Sequence, residues 1–118
     1  SHQLLQLSEA AELLGFAYIA EGDIELTPLG LAFAEASILA RKEIFASRAR
    51  RLPTMRWLLS LLQASENHQL KGSVIETALS LEFPPDEIEP QIDTLINWGR
   101  YGELLVYDDG AEILSLEE

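Results

Sequence analysis

The chain has 118 residues, 47% of them hydrophobic and 24% charged, with a formal net charge of −12; this is globular composition, enough for one domain or two very small ones. It has no cysteine, which excludes a disulfide framework, a thiolate metal site and a Cys nucleophile, and fits a reducing cytoplasm. No apolar run approaches the roughly 20 residues of a membrane span.

Charge is unevenly spread: residues 1–26 carry −5, 27–83 carry +2 and 84–118 carry −9. Such acidic ends repel phosphate, so nonspecific nucleic-acid affinity is expected to be poor. The chain opens Ser1-His2 rather than with Met, which reads as a cleavage scar and predicts a domain cut from a longer protein.

Leu4, Leu5, Leu7, Ala11, Leu13 and Leu14 give a broad apolar face at helical spacing, and Gly15 is a natural stop for that helix. Ser8 with Glu9 and Glu12, one residue off a capping box, offers a second place for it to begin. "FAYIAEGDIEL" predicts a hairpin: Phe16, Tyr18 and Ala20 alternate with Ala17 and Ile19, Glu21-Gly22-Asp23 turns, and Ile24 and Leu26 return. Thr27-Pro28 supplies an N-cap and a proline at the first helical position. The Ala-rich "LGLAFAEASILA" and the basic "ARKEIFASRARRL" read on from there as one long connecting helix.

Pro53 marks a start or a break, after which "TMRWLLSLLQAS" resumes with Met55, Leu58, Leu59 and Leu62 at helical spacing. "ENHQLKGS" reads as a loop, and "SVIETALSLEF" as a short helix with Ser73 and Glu76 in capping-box spacing. Pro84-Pro85 breaks the chain. "DEIEPQIDTLINWG" carries the strongest helical pattern, with Ile88, Ile92, Leu95 and Ile96 on one side. Its acids Asp86, Glu87 and Glu89 lie in the first turns, where the helix dipole favours them. A last hairpin pairs Leu104–Tyr107 with Ile113–Leu116 around Asp109-Gly110.

"ELLGFAYIAEGDIEL" and "NWGRYGELLVYDDGAEILSL" share one order: helix, glycine, aromatic, strand, tight acidic turn, strand. The fold class expected is therefore α+β, mostly helical and winged-helix-like, with two copies of a helix-plus-wing unit. Residues 1–52 hold a helix, a hairpin and the long connecting helix of a partial copy, and residues 53–118 hold a complete one.

The same residues carry a family resemblance that covers nearly the whole chain. "LLGFAYIAEGDIELTPLGLAFAEA", "RKEIFA" and "IDTLINWGRYGELLVYDDGAEILSLEE" resemble the AAA-associated C-terminal domain; the most specific blocks are Glu21 to Gly30 and Ile96 to Asp109. That family follows the ATPase domain in ATP-binding subunits of ABC transporters of the nitrate, sulfonate, taurine and bicarbonate type. The resemblance implies an accessory, regulatory domain attached to a transporter ATPase, cytoplasmic and peripheral to the inner membrane. The chain departs from such a parent in having no Gly-x-x-x-x-Gly-Lys-Ser/Thr, so nothing in it is expected to bind and hydrolyse ATP as the parent does.

Candidate site residues fall in two groups. Arg41, Lys42, Arg48, Arg50, Arg51 and Arg56 are six of the eight bases. They suit an acidic protein surface, nucleotide phosphates or anionic lipid heads, against the plainer reading of a solvated helix face pairing with the acidic ends. Trp98, Arg100 and Tyr101 stand where helix meets wing, and suit either a partner-contact corner or a purely structural one fixed by a cation–π contact or a pair with Asp93 or Glu103. Asp108, Asp109, Glu112, Glu117 and Glu118 lack EF-hand spacing, and His68 has no second ligand in sequence. No nucleophile elbow or other catalytic set is present. The expectation is no catalytic residues, no metal and no cofactor.

The function expected is that of a C-terminal accessory domain of an ABC importer ATP-binding subunit, acting by protein–protein docking rather than catalysis. Its expected partners are the parent ATPase domain and transporter subunits; the Leu4–Leu14 face suits contact with that ATPase or a homodimer, against the plainer reading that its own hairpin and residues 28–52 cover it. The alternatives are a nucleic-acid-binding winged helix, disfavoured by Asp86, Glu87, Glu89 and Asp93 on the reading helix, and a small-molecule sensor domain.

Overall fold

The computed structural model describes residues 9–117. In chain order it contains α1 (residues 9–13), β1 (Ala17–Ala20), β2 (Asp23–Leu26), α2 (Pro28–Glu35), α3 (Ile38–Ala49), α4 (Pro53–Gln63), β3 (Gln69–Lys71), α5 (Gly72–Leu79), α6 (Pro85–Tyr101), β4 (Leu105–Asp108) and β5 (Ile113–Leu116). The chain is α+β and mostly helical, with small antiparallel sheets. It divides into two compact units between Leu52 and Pro53. No described helix is long and apolar enough to cross a membrane. Leu4, Leu5 and Leu7 of the expected first helix lie outside the described residues.

In the first unit, α1 ends in a Schellman closure. The Phe16 N–H donates to the Ala11 carbonyl at 2.8 Å and the Gly15 N–H to that of Glu12 at 3.0 Å. Gly15 takes the left-handed conformation that this closure needs, with φ +83°. The chain leaves directly into β1, and Glu21 and Gly22, both at positive φ, turn it back into β2 as a two-residue loop closed by the Ala20–Asp23 pair.

Thr27 then ties three elements together. Its N–H donates to the Phe16 carbonyl at 3.0 Å, and its hydroxyl donates to the Gly15 carbonyl at 2.6 Å. The same hydroxyl accepts the Gly30 N–H at 2.9 Å, capping α2. Gly30 lies so close under β1 that a Cβ would stand 1.9 Å from the Phe16 carbonyl oxygen. Phe16 stacks on Phe33 of α2, with centroids 4.4 Å apart.

The long connecting helix expected over 28–52 is two helices. α2 stops at Glu35, Ala36 is extended, and the Ser37 hydroxyl accepts the Ala40 N–H at 3.2 Å to begin α3. A side-chain acceptor at Ser37 makes a fresh start favourable where the Ala-rich pattern alone shows no interruption.

The second unit builds its core from Met55, Leu58 and Leu62 of α4, Ile75 of α5, Leu105 and Leu114, all essentially inaccessible to solvent. After α4 the Gln69 N–H donates to the Glu66 carbonyl across Asn67 (φ 57°) and His68 (φ 53°), both left-handed. This tight turn delivers β3 antiparallel to β5, giving the sheet order β3-β5-β4. The segment 66–73 is thus not the loop expected. Three residues with one apolar side chain carry no strand pattern of their own, and β3 exists because β5 offers it an edge.

The capping box of Ser73 and Glu76 does not form: the N-cap of α5 is Lys71, and the Gly72 N–H is taken by the Glu112 carbonyl at 2.8 Å. α6 runs to Tyr101 and ends in the same closure as α1. The Leu104 N–H donates to the Gly99 carbonyl at 2.8 Å and the Glu103 N–H to that of Arg100 at 3.1 Å, with Glu103 at φ 56°. Because Leu104 serves this closure, β4 begins at Leu105, one residue later than expected. The β4–β5 loop is four residues long, and the Asp108 carboxylate accepts the N–H groups of Gly110 and Ala111 at 3.0 and 3.2 Å.

Two substitutions rank these constraints. Gly30→Ala forces a methyl against a backbone oxygen that cannot move aside, and is expected to destabilise the first unit by about 3 kcal/mol or more. Gly15→Ala is expected to cost less, about 1–2 kcal/mol for the left-handed conformation plus whatever is lost in displacing the Arg48 guanidinium, a side chain that can shift where a backbone oxygen cannot. Amide hydrogen exchange of the β1 and β2 residues reads both; equal protection in Gly30→Ala and the parent chain would contradict the close approach.

Candidate docking surface

The two hairpins are built on one plan. Phe16 and Leu104 each follow a left-handed residue and return an N–H five residues back to close a helix. Each carbonyl then accepts the N–H of the residue after the second strand: Thr27 at 3.0 Å in one unit, Glu117 at 3.3 Å in the other. The registers correspond, Ala17–Leu26 and Ile19–Ile24 matching Leu105–Leu116 and Tyr107–Leu114. In both, these four side chains share one face, because pairs two residues apart point the same way.

What covers that face differs. In the second unit Leu105 and Leu114 are 2% and 1% exposed, with α4 packed against β5 and α6 against β4. In the first, Ile19, Ile24 and Leu26 are 48%, 50% and 55% exposed. Ala17 and its counterpart Leu105 are both buried, whereas exposed Ile24 matches buried Leu114, and exposed Ile19 and Leu26 match half-buried Tyr107 and Leu116, so three large apolar side chains of the first hairpin stand more open than their counterparts. Glu21, Asp23 and Glu25 lie on the same hairpin, and the Tyr18 hydroxyl donates to Glu25 at 2.7 Å on the opposite face. That bond, and the charge of Glu25, raise the Tyr18 pKa above its ordinary value. Nothing in the alternation of "FAYIAEGDIEL" separates a covered from an uncovered hairpin, so its open face was not legible beforehand.

The predicted basic residues are spread over several tasks. Arg41 and Arg48, two turns apart on α3, point at helix ends. Arg41 donates to the Phe33 and Ala34 carbonyls at 3.2 and 2.8 Å, and Arg48 to the Leu14 carbonyl at 2.8 Å. Each thus satisfies the last carbonyls of α2 or of the segment following α1, where the helix dipole also favours a cation. Lys42 is half-buried; Arg50, Arg51 and Arg56 are exposed. Trp98, Arg100 and Tyr101 all lie in the last turn of α6, Trp98 half-buried and the other two exposed.

Along α6, Asp86, Glu87, Glu89 and Asp93 are exposed, while Ile88, Leu95 and Ile96 are buried. The solvent face of this helix is therefore acidic. Tyr107, half-buried, has its pKa raised first by that burial and then by Glu112, Asp109, Asp93 and Asp108. Among the described residues no cluster of His, Asp and Glu is arranged to hold a metal ion.

A family model for the C-terminal AAA-associated domain matches residues 1–108. No curated protein and no solved structure matches the chain.

The arginines should separate cleanly by task. Arg48→Ala removes a charged donor from a carbonyl and is expected to destabilise the first unit by about 2 kcal/mol, whereas Arg51→Ala should change stability by less than about 0.5 kcal/mol. Urea unfolding followed by hydrogen exchange in residues 9–35 measures both, and equal effects would refute a capping role for Arg48.

Proposed function

The chain belongs to the family of C-terminal AAA-associated domains, and on that premise we propose that it works by docking, through the open face of its β1–β2 hairpin, onto the ATPase it accompanies. A domain of this family is an accessory to a larger ATPase. The finer reading is an ABC importer subunit of the nitrate, sulfonate, taurine or bicarbonate type, with this domain regulating or assembling the complex rather than catalysing.

One observation carries the docking reading: Ile19, Ile24 and Leu26 stand about half exposed on one hairpin face, whereas their counterparts Tyr107, Leu114 and Leu116 in the second unit are half-buried or buried. Burying such a face supplies affinity, and the acids Glu21, Asp23 and Glu25 orient it toward a partner surface that is apolar with a basic margin. The element order helix–strand–helix–helix–strand–strand, with sheet order β3-β5-β4, supports reading the second unit as a winged helix. The matched hairpin closure supports reading the first as a partial copy. The acidic solvent face of α6 disfavours phosphate backbones and leaves protein as the preferred partner.

The test uses the intact ATPase subunit. Ile24→Glu with Leu26→Glu changes only exposed positions, so the domain should stay folded by circular dichroism. Hydrogen exchange at residues 17–26 should rise severalfold in the variant as the docked face is released. Unchanged exchange between the two subunits would sink docking through this hairpin.

A further inference from the structure

A cleft of about 400 Å³ opens in the second unit between the first turns of α4 and the end of α5. Its walls include Pro53, Trp57, Leu81 and Phe83, and the polar side chains at its edge are Thr54 and Glu82. We propose that this cleft binds a small organic cation, an ammonium carrying methyl or short alkyl groups.

The chemistry of the lining selects that class. Two aromatic residues, Trp57 and Phe83, line the cleft, and the face of such a ring attracts a cation most strongly when the cation is weakly hydrated. Alkyl groups on nitrogen match the apolar walls, which a bare ammonium or metal ion would leave unsatisfied. Glu82 is the one charged side chain of the lining, and no base lines the cleft to compete for it. An anion meets that carboxylate and a chain of net charge −12, so the anionic solutes of the proposed transporter type do not belong here. A neutral apolar molecule fits the walls but gains nothing from Glu82.

The wall is also preformed. The Leu81 N–H donates to the Ala78 carbonyl at 3.3 Å, and the Glu82 and Phe83 N–H groups both donate to that of Leu79, at 3.0 and 2.9 Å. This knot at the end of α5 holds Glu82 and Phe83 in place, and Pro84-Pro85 stiffen the start of α6. Leu81 is left 82% exposed at the cleft, a large apolar side chain that a bound alkyl group would shield. A site of this size is within the usual range for small ligands, and no reordering of the backbone is needed to fill it.

The probe is choline, with 3,3-dimethylbutan-1-ol as its uncharged carbon isostere, titrated into the whole chain. The indole N–H resonance of Trp57, assigned with Trp57→Phe, reports binding. Choline should shift it saturably, with the isostere weaker by roughly tenfold, and added salt should weaken choline alone. Glu82→Gln, at an exposed position, should cost roughly fivefold in choline affinity with the melting temperature unchanged. Equal responses to choline and its isostere would mark a merely apolar cleft and overturn the proposal. So would indifference of choline binding to Glu82→Gln, or the absence of any shift at tens of millimolar choline.

Discussion

A single backbone carbonyl fixes each hairpin, and the rest of each unit is arranged around it. Phe16 and Leu104 give their N–H groups backwards to close a helix and receive, on their carbonyls, the N–H that seals the far end of the hairpin. One residue thereby sets both the angle at which the chain leaves the helix and the width of the sheet it enters. In the first unit the constraint tightens further, because the Phe16 oxygen also meets Gly30, where any side chain would collide with it. Thr27 and Arg48 then saturate the neighbouring carbonyls of Gly15 and Leu14. Buried backbone groups left unpaired are costly, so these bonds select the geometry more sharply than the apolar contacts around them.

That shared closure makes the difference between the units informative. The second unit packs α4 against β5, with Leu105 and Leu114 buried; on the matching face of the first hairpin Ala17 is buried but Ile19, Ile24 and Leu26 are about half exposed. The hairpin is not merely a poor version of a sheet, since its register, its two-residue turn and its cap are all well made. Among the described residues, its three large apolar side chains are only half covered. An element whose backbone is fully specified but whose apolar face is open is pre-organised for a partner, because little ordering cost remains when the face is buried.

Local chemistry was legible in the sequence and non-local pairing was not. Gly15, Thr27-Pro28 and Pro84-Pro85 act through their own backbone torsions and side chains, so the helix boundaries they mark could be read directly. The Glu21-Gly22 turn and the apolar side of α6 followed from spacing alone. By contrast, β3 has one apolar residue and depends on an edge offered by β5 over forty positions later. The Gly72 N–H finds its acceptor at Glu112, which no capping motif near Ser73 announces. Arg41 and Arg48 looked like surface charge because their partners are carbonyls, which leave no mark in a sequence. At Glu103 a non-glycine residue takes the left-handed position that Gly102 is chemically better fitted to hold, and Gly102 closes the helix as an ordinary cap instead.

The energetics of the open face bear on how a docked domain could act. Three apolar side chains that are already about half covered have roughly 1 kcal/mol each left to gain on full burial, and association of free molecules costs about 4–15 kcal/mol. As a separate molecule the domain would therefore hold its partner weakly through this face alone. Covalent attachment changes the comparison, since a short tether supplies an effective concentration in the millimolar range. A contact with a dissociation constant near that value is occupied about half the time. An equilibrium so balanced responds most to small differences: about 1.4 kcal/mol of preference for one state shifts it tenfold. A modest apolar face with an acidic border is thus better suited to a reversible switch than to a permanent joint, and its smallness is what leaves it open to regulation.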